Sequence, residues 1–504
     1  MAVVASLDME KVQYPAVQEL DAKAHAAAKR PTAPDQFDES YRTARLEIWA
    51  YYAYYIGNNG LSLFNFAPTA FQNLLSQATD ENGQLFFAGR LRSIESIVLL
   101  CNGISFAIQV LVFLVIGSFA DFGTWRPNIL IGLSIVAYAI GFGWLGVHDA
   151  EKWHVAVGLY IVGLIAYQTT LTFWTAAFPG LARNTVEMKS KADEYQSGSI
   201  SRDEYDFADT MKRSQLANMA FYVQSVGEIF ILAVIVGIMF GLRVDDSQAN
   251  NNWGLSVLIA FASGVWLLVS LPWFVLEKRR PGQGTGGRSI VVAGLKQIYV
   301  ATRQIWRLKQ SLLYLVVIST LQNNIVAYNT LQLAYLLIVG ITAQALGIYA
   351  FWRIQTRFNL SPLTLFHLIV AAIIVLDIWG MIGIFTNRFG FHNTWEVWAY
   401  QAYYGLLVCP WYSYSQIMIS EVTPRGHEFL FFSLFSIVGK TSSFIGPLVS
   451  SAIIDASESG NAGLPFYFLV GISVLAAGVL GVWLDIGKSR KEQEAFLEEK
   501  KLRE

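Results

Sequence analysis

The stretch EKRRPGQGTGGRS at 277–289 sets four basic residues, Lys278, Arg279, Arg280 and Arg288, among four glycines and a proline. So many charges do not enter lipid, and so many glycines favour neither helix nor strand; the stretch reads as a flexible basic linker. To its N-terminal side lie runs free of Asp, Glu, Lys and Arg at 48–79, 96–120, 127–148, 153–182 and 254–276, with a further one at 214–242 broken only by Glu228. To its C-terminal side come 310–352, 397–420 and 459–484, with 358–387 broken by Asp377 and 430–454 broken by Lys440. A helix needs about 20 apolar residues to cross a bilayer. The run 310–352, at 43 residues, just holds two crossings, so the linker separates six expected spans from six.

Composition agrees. The chain has 504 residues, 54% hydrophobic and only 14% charged, where a soluble domain carries about a quarter charged residues. This excludes a soluble enzyme domain, a disordered chain and a disulfide scaffold. A net charge of −1 implies no nucleic-acid partner. Cys101 and Cys409 stand far apart in apolar runs and read as core packers, and no metal or redox spacing occurs. The opening MAVVASLDMEK is too short an apolar run for a signal peptide, so the first span is expected to direct insertion.

With the N-terminus inside, alternating loops place 30 of the 36 Lys and Arg on the inner side, five outside and Lys440 within a span. This follows the positive-inside rule and makes both termini cytoplasmic. It also requires two crossings in 310–352, because one would turn the C-terminal basic residues outward. The expected organisation is a cytoplasmic tail at 1–46, a six-helix half at 47–276, a basic linker at 277–307, a second six-helix half at 308–486 with a short span 7, and a cytoplasmic tail at 487–504. Within the linker, Ile290, Leu295, Ile298, Tyr299, Ile305 and Trp306 alternate with basic residues, as in a helix lying on the inner leaflet. The loop 183–213 and both tails are polar and read as mobile.

Two six-helix halves joined by a basic linker resemble the major facilitator architecture: an all-α membrane protein of twelve transmembrane helices, its halves arranged as parallel repeats about a central cavity. After span 2, Gly117-Ser-Phe-Ala-Asp121-Phe-Gly123-Thr-Trp-Arg126 resembles the superfamily signature G-x-L-A-D-R-x-G-R-K, one residue shorter and with Phe122 for the first Arg. Asp121 and Arg126 are therefore candidates for an inner-gate latch; the other reading is a solvated turn. The inner ends of spans 4 and 10 also rhyme, Phe178-Pro179 leading to Arg183 and Pro424-Arg425 following Thr423.

Polar side chains at membrane depth face a cavity or another helix. In span 1, Asn58, Ser62 and Asn65 recur at i, i+4 and i+7, on one helical face, with Asn59 beside them. Two readings stand: cavity lining, or hydrogen bonding between helices at small-residue contacts. Span 4 adds Gln168, span 5 adds Gln224, span 7 adds Asn323 and Asn324, and aromatic-rich span 10 adds Tyr412. Glu228 and Lys440 lie mid-span at corresponding positions in the two halves. Glu228 is the candidate proton site, since burial favours a protonated carboxyl, and Lys440 could attract a substrate carboxylate. Asp377, on a peripheral span, reads as structural.

Val438-Gly439-Lys440-Thr441 imitates the end of a phosphate-binding loop, but position 434 is Leu where its first glycine belongs. With no ATPase module, a primary pump is not expected. The sole N-x-S/T match, Asn359-Leu-Ser361, falls on the expected cytoplasmic side. No nucleophile–His–carboxylate set stands out, so enzyme activity, a cofactor and a metal are all unexpected.

Glu47-Ile-Trp-Ala-Tyr51-Tyr-Ala-Tyr-Tyr-Ile-Gly-Asn58-Asn59-Gly, Ser319-Thr-Leu-Gln-Asn323-Asn324, and Ser420-Glu421-Val-Thr-Pro424-Arg425-Gly426 with Phe431-Phe-Ser-Leu-Phe-Ser resemble the fungal autophagy-related vacuolar effluxers. The likeness runs from about residue 45 to 490. It implies a multi-pass protein of the vacuolar membrane that exports amino acids from autophagic breakdown to the cytosol, with protons a possible coupling ion. One departure is span 7, where the family is longer between the positions of Val317 and Ile318; a missing exon would account for it and would shift Asn323 and Asn324 in depth. The alternatives are a transporter of another small solute at a different membrane and a non-transporting sensor or scaffold.

Overall fold

The computed structural model describes residues 38–80, 83–282, 330–386, 388–437 and 464–501, with isolated positions between 289 and 299 and between 439 and 453. Asn323, Asn324 and Lys440, most of span 7 and most of the amphipathic linker segment lie outside the described residues. Among those described, eight helices are long and apolar enough to cross a membrane. They correspond to expected spans 2–6, 8, 9 and 12. Spans 1 and 10 are present as shorter helices in series, and span 11 is described over Glu428–Ile437.

Span 1 begins as α1 (Arg45–Gly57), breaks at Asn58–Gly60, and resumes as a wide π-type turn (Leu61–Phe66) leading into α2 (Ala67–Ala78). The break has local causes. Asn59 donates to the Ile56 carbonyl and accepts from the Leu61 N–H, and Gly60 adopts φ +95°, a left-handed conformation that favours glycine. Two short strands, β1 (Gln84–Phe87) and β2 (Arg90–Ser93), form an unforeseen hairpin before span 2, α3 (Ile94–Ala120). Span 3 is α4 (Arg126–Gly143), and span 4 is α5 (Trp153–Ala176) continued by α6 (Phe178–Arg183).

The loop 183–213 differs from the mobile segment expected. It folds as α7 (Val186–Gln196) and the first turns of α8 (Arg202–Leu242), which pack around buried Met188, Ala192 and Tyr205. Ser201 and Glu204 form a reciprocal capping box that starts α8. At about 1.5 Å per residue, a helix of this length is about twice the hydrocarbon thickness, so its first turns project beyond the membrane. Span 6 is α9 (Gln248–Leu276).

In the second half, span 8 is α10 (Thr330–Phe358) and span 9 is α11 (Pro362–Ile382). Span 10 runs from α12 (Thr394–Tyr403) through a π-type turn (Tyr404–Val408) to α13 (Pro410–Val422). Pro410 has no N–H to continue the ladder, and the Cys409 N–H reaches back five residues to the Tyr404 carbonyl at 2.8 Å. Span 11 begins as α14 (Glu428–Ile437), span 12 is α15 (Pro465–Trp483), and α16 (Ile486–Lys501) turns the expected C-terminal tail into a docked helix. Asp377 of span 9 accepts from Ser473 of span 12 at 2.8 Å, a buried bond between two helices.

Outward faces carry Leu111, Val234, Leu268 and Val482, all more than half exposed, as lipid-facing positions should be. Inward faces are aromatic. Trp174 of α5 lies against Tyr51 and Tyr55 of α1, centroids 4.4 and 4.2 Å apart. Such pairs add about 0.5–1.5 kcal/mol each beyond burial. Gly57 lets α1 approach the α9 backbone at Trp266, where any Cβ would overlap it.

Candidate functional site

Glu228 is buried in the apolar C-terminal part of α8. One turn earlier on the same helix, Gln224 donates its amide to the Glu228 carboxylate. The Gln224 Oε1 faces the Nε2 of Gln344 on α10 at 3.5 Å, and that Nε2 also donates to Ser225 at 2.8 Å. The chain Glu228–Gln224–Gln344 therefore crosses from one half to the other at mid-membrane. Tyr55 of α1, Tyr167 of α5 and Tyr412 of α13 all lie close enough to Glu228 to interact with it electrostatically. Tyr412 also reaches the Tyr404 hydroxyl at 3.4 Å, beside the π-type turn of span 10.

The break in span 1 borders this group. A Cβ on Gly60 would meet the Tyr167 hydroxyl at 2.9 Å, so the glycine allows that approach as well as the turn. Asn58, fully buried, donates to Thr170 Oγ1 at 3.4 Å, while its Oδ1 has no hydrogen-bond partner. Gln168 lies buried on the same segment of α5 as Thr170.

Other polar positions of span 1 serve different ends. Ser62 hydrogen-bonds Ser263 of α9 at 2.6 Å, as the interhelical reading expected. Asn59 is occupied within the break. Asn65 is half-buried, and its carbonyl accepts from Thr69. Because the helix unwinds at Asn58–Gly60, the i, i+4, i+7 alignment of Asn58, Ser62 and Asn65 does not carry through.

A second constellation joins the halves at the end of the bundle where Arg280 of the linker lies. Asp121, just beyond α3, accepts the backbone N–H groups of Phe429 and Leu430 at 3.1 and 3.2 Å. It thereby caps α14 of the opposite half, where the helix dipole favours an anion. Arg126 stacks over the Phe429 ring at 5.2 Å and donates to the Arg280 carbonyl at 3.3 Å. Asp121 and Arg126 thus address the same short segment from two sides. Gly117 packs so closely on Ser433 that any Cβ would overlap it.

Around this cap, Arg183 pairs with Glu428 at 2.7 Å, and Arg213 pairs with Glu421 at 2.9 Å. Thr210 donates to Glu421 at 2.6 Å, Ser413 to Asn218 at 2.5 Å, and Thr172 lies 2.8 Å from Ser436. From α16, Arg490 binds Glu421 at 3.2 Å and Asp206 at 3.5 Å. Among the described residues, the polar links between halves concentrate from Gln344 toward this basic end, which is closed. Burial, with Glu428 close by, raises the Asp121 carboxyl well above its usual range, outweighing the two N–H donors and Arg126.

The linker is tied into the same end. Arg280 makes a two-pronged contact with Glu47 at 2.8 and 2.9 Å, and it also donates to Thr43 and to the Tyr41 carbonyl. The Gly282 N–H donates to the Gly123 carbonyl at 2.7 Å. The residues that sequence reading missed, Gln344, Asn218 and Glu428, gain meaning through partners far along the chain, as does Arg183, which the sequence marked only as the inner end of span 4. Gln344 and Asn218 carry a local signal, as amides inside the apolar runs 310–352 and 214–242.

Comparison with known proteins follows this geometry. A family described as "Vacuole effluxer Atg22 like" matches residues 43–494. Autophagy-related protein 22 of Yarrowia lipolytica is 23% identical over 453 residues, covering 78% of this chain and 76% of that protein. The protein of the same name from Cryptococcus neoformans is 23% identical over 485 residues, covering 80% and 88%. Among solved structures, the major facilitator proton:xylose symporter XylE matches with a TM-score of 0.58 at 12% identity, over 87% of this chain and 95% of that one. The human organic anion transporter MFSD10 matches with a TM-score of 0.51 at 14% identity, over 88% and 100%. The fold is that of the major facilitator transporters.

Proposed function

The chain belongs to the Atg22-like vacuole effluxer family, a family of membrane transporters rather than enzymes, and on that premise we propose that it moves amino acids from the vacuole to the cytosol by alternating access. In this reading the bundle has twelve spans, both termini are cytoplasmic, and the closed basic end faces the cytosol. The structure then corresponds to the state open toward the lumen.

The observation that carries the proposal is the Glu228–Gln224–Gln344 chain, which couples an ionisable group at mid-membrane to the contact between halves. Glu228 takes the role of proton site. The unpartnered Asn58 Oδ1 and the Glu228 carboxylate offer acceptors suited to an ammonium group. Tyr55, Tyr167 and Tyr412 supply apolar faces with hydroxyl edges, Gln168, Gln224 and Asn65 complete this half of the cavity, and Asn59 acts there by holding the break in span 1 open. Asn323, Asn324 and Lys440 are proposed to line the facing side, Lys440 toward the substrate carboxylate. The neighbour named a proton symporter supports proton coupling only as an analogy of fold.

The test is counterflow of labelled amino acids in proteoliposomes. Exchange of neutral amino acids, impaired and stripped of its pH dependence by Glu228→Gln, supports the proposal. Exchange of other solutes alone would assign a different substrate. No flux from a folded sample would make the protein a sensor or scaffold.

A further inference from the structure

The hairpin before span 2 carries large apolar side chains on both faces. A tight turn at Ala88 and Gly89, both with positive φ, sets the register Phe86 opposite Leu91 and Leu85 opposite Arg92. One face looks into the bundle: Leu85 is buried, and the Phe87 ring lies 6.1 Å from Trp153 at the start of α5. On the other face Phe86 is 66% exposed and Leu91 is 60% exposed. Two large apolar side chains side by side on an exposed face are not what a hairpin lying in water presents.

Its position names the occupant. Ser93 ends β2 and caps α3, so the hairpin stands at the first residue of a membrane span. That span is 24 residues long, a few more than the hydrocarbon core requires, and its first turn carries Glu95 and Ser96, which places that turn and the adjoining hairpin in the headgroup zone. The contact with Trp153 holds the hairpin sideways against the bundle at this level. Arg90 and Arg92 stand across from Phe87 and Leu85, on the other face from Leu91; Arg90, next to the turn, is exposed, and the two are among only five basic residues expected on this side. Arginines beside apolar side chains suit a surface that is apolar within and phosphate-lined without.

We propose that the hairpin is a bilayer-interface anchor: Phe86 and Leu91 seat at the headgroup–acyl boundary of the leaflet opposite the basic end, and Arg90 reaches lipid phosphate. The anchor fixes the outer ends of spans 1 and 2 against the membrane while the halves rock.

Nitroxides placed by Phe86→Cys and, separately, Leu91→Cys in the full chain report this directly, since native Cys101 and Cys409 are buried. In phosphatidylcholine–phosphatidylserine vesicles, collision with oxygen relative to a water-soluble nickel chelate should be several-fold higher at both sites than at the turn control Ala88→Cys. Adding Arg90→Gln should lower that ratio. Nickel access equal to the turn control would place the face in water, and low access to both reagents would mean protein covers it. Either result overturns the proposal.

Discussion

The Asp121 carboxylate of one half accepts the backbone N–H of Leu430 in the other at 3.2 Å. A side chain at the end of span 2 thus caps the start of span 11 across the two halves. Separating the halves at this end frees the N-terminal amides of α14 and returns Asp121 to water.

This makes closure pH-dependent. Asp121 binds its proton more tightly when the end is closed than when it is open and the carboxyl is near its ordinary 3.8. Closure is therefore favoured as pH falls, and it weakens as pH rises from about that value through the raised one. Asp121→Asn, a neutral acceptor, should stay closed with a flat pH profile. Asp121→Ala removes both acceptors and should open the end, by about 1–2 kcal/mol or roughly 5- to 30-fold in population. Accessibility of a cysteine engineered between α3 and α14, followed against pH, checks both.

The buried pair Arg183–Glu428, with side-chain exposures of 9% and 12%, should show strong coupling. Removing either charge strips the other, buried, of its short ion pair and costs more than removing both. A double-mutant cycle on thermal stability in detergent, with Arg183→Met and Glu428→Gln, should return a coupling energy above 1 kcal/mol, roughly the ceiling for exposed pairs.

Arg280 holds Glu47 through two nitrogens, which a lysine cannot reproduce. Arg280→Lys should lower the midpoint of thermal unfolding almost as far as Arg280→Met. Full rescue by lysine would show that charge alone matters there.

Gln344 acts on Glu228 through Gln224. Gln344→Leu should slow exchange by about tenfold, the worth of one buried hydrogen bond of roughly 1–1.5 kcal/mol, and should displace the pH profile of transport. Gln344→Glu, which keeps an acceptor but loses the donor, should not restore it. An unchanged pH profile in proteoliposomes with full activity would separate Gln344 from the proton role proposed for Glu228.

Much of the fold was legible because lipid imposes a simple rule: charges leave, and the remaining runs mark the spans. Glu228 stood out by the same rule. The rule is silent on what lies at the ends. Residues 183–213 and 487–501 are as polar as a mobile loop, yet α7 and α16 fold there through Met188 against Tyr205 and Arg490 against Glu421. Helical periodicity misplaced Ser62 because the three residues before Leu61 are not helical, and no period of 3.6 survives a left-handed glycine. Arg183 and Glu428 are 245 positions apart, so nothing in either neighbourhood announces the pair.

The central claim is that the two halves close and open about the basic end while solute passes Glu228. Spin labels at exposed Ser190 in one half and Arg357 in the other report this distance by pulsed electron resonance in proteoliposomes. A single short distance without substrate, joined by a longer one when neutral amino acid is added and shifted toward the longer one by Asp121→Ala, is the predicted result. An unchanged distance under every condition, from protein that still exchanges amino acids, would contradict the account.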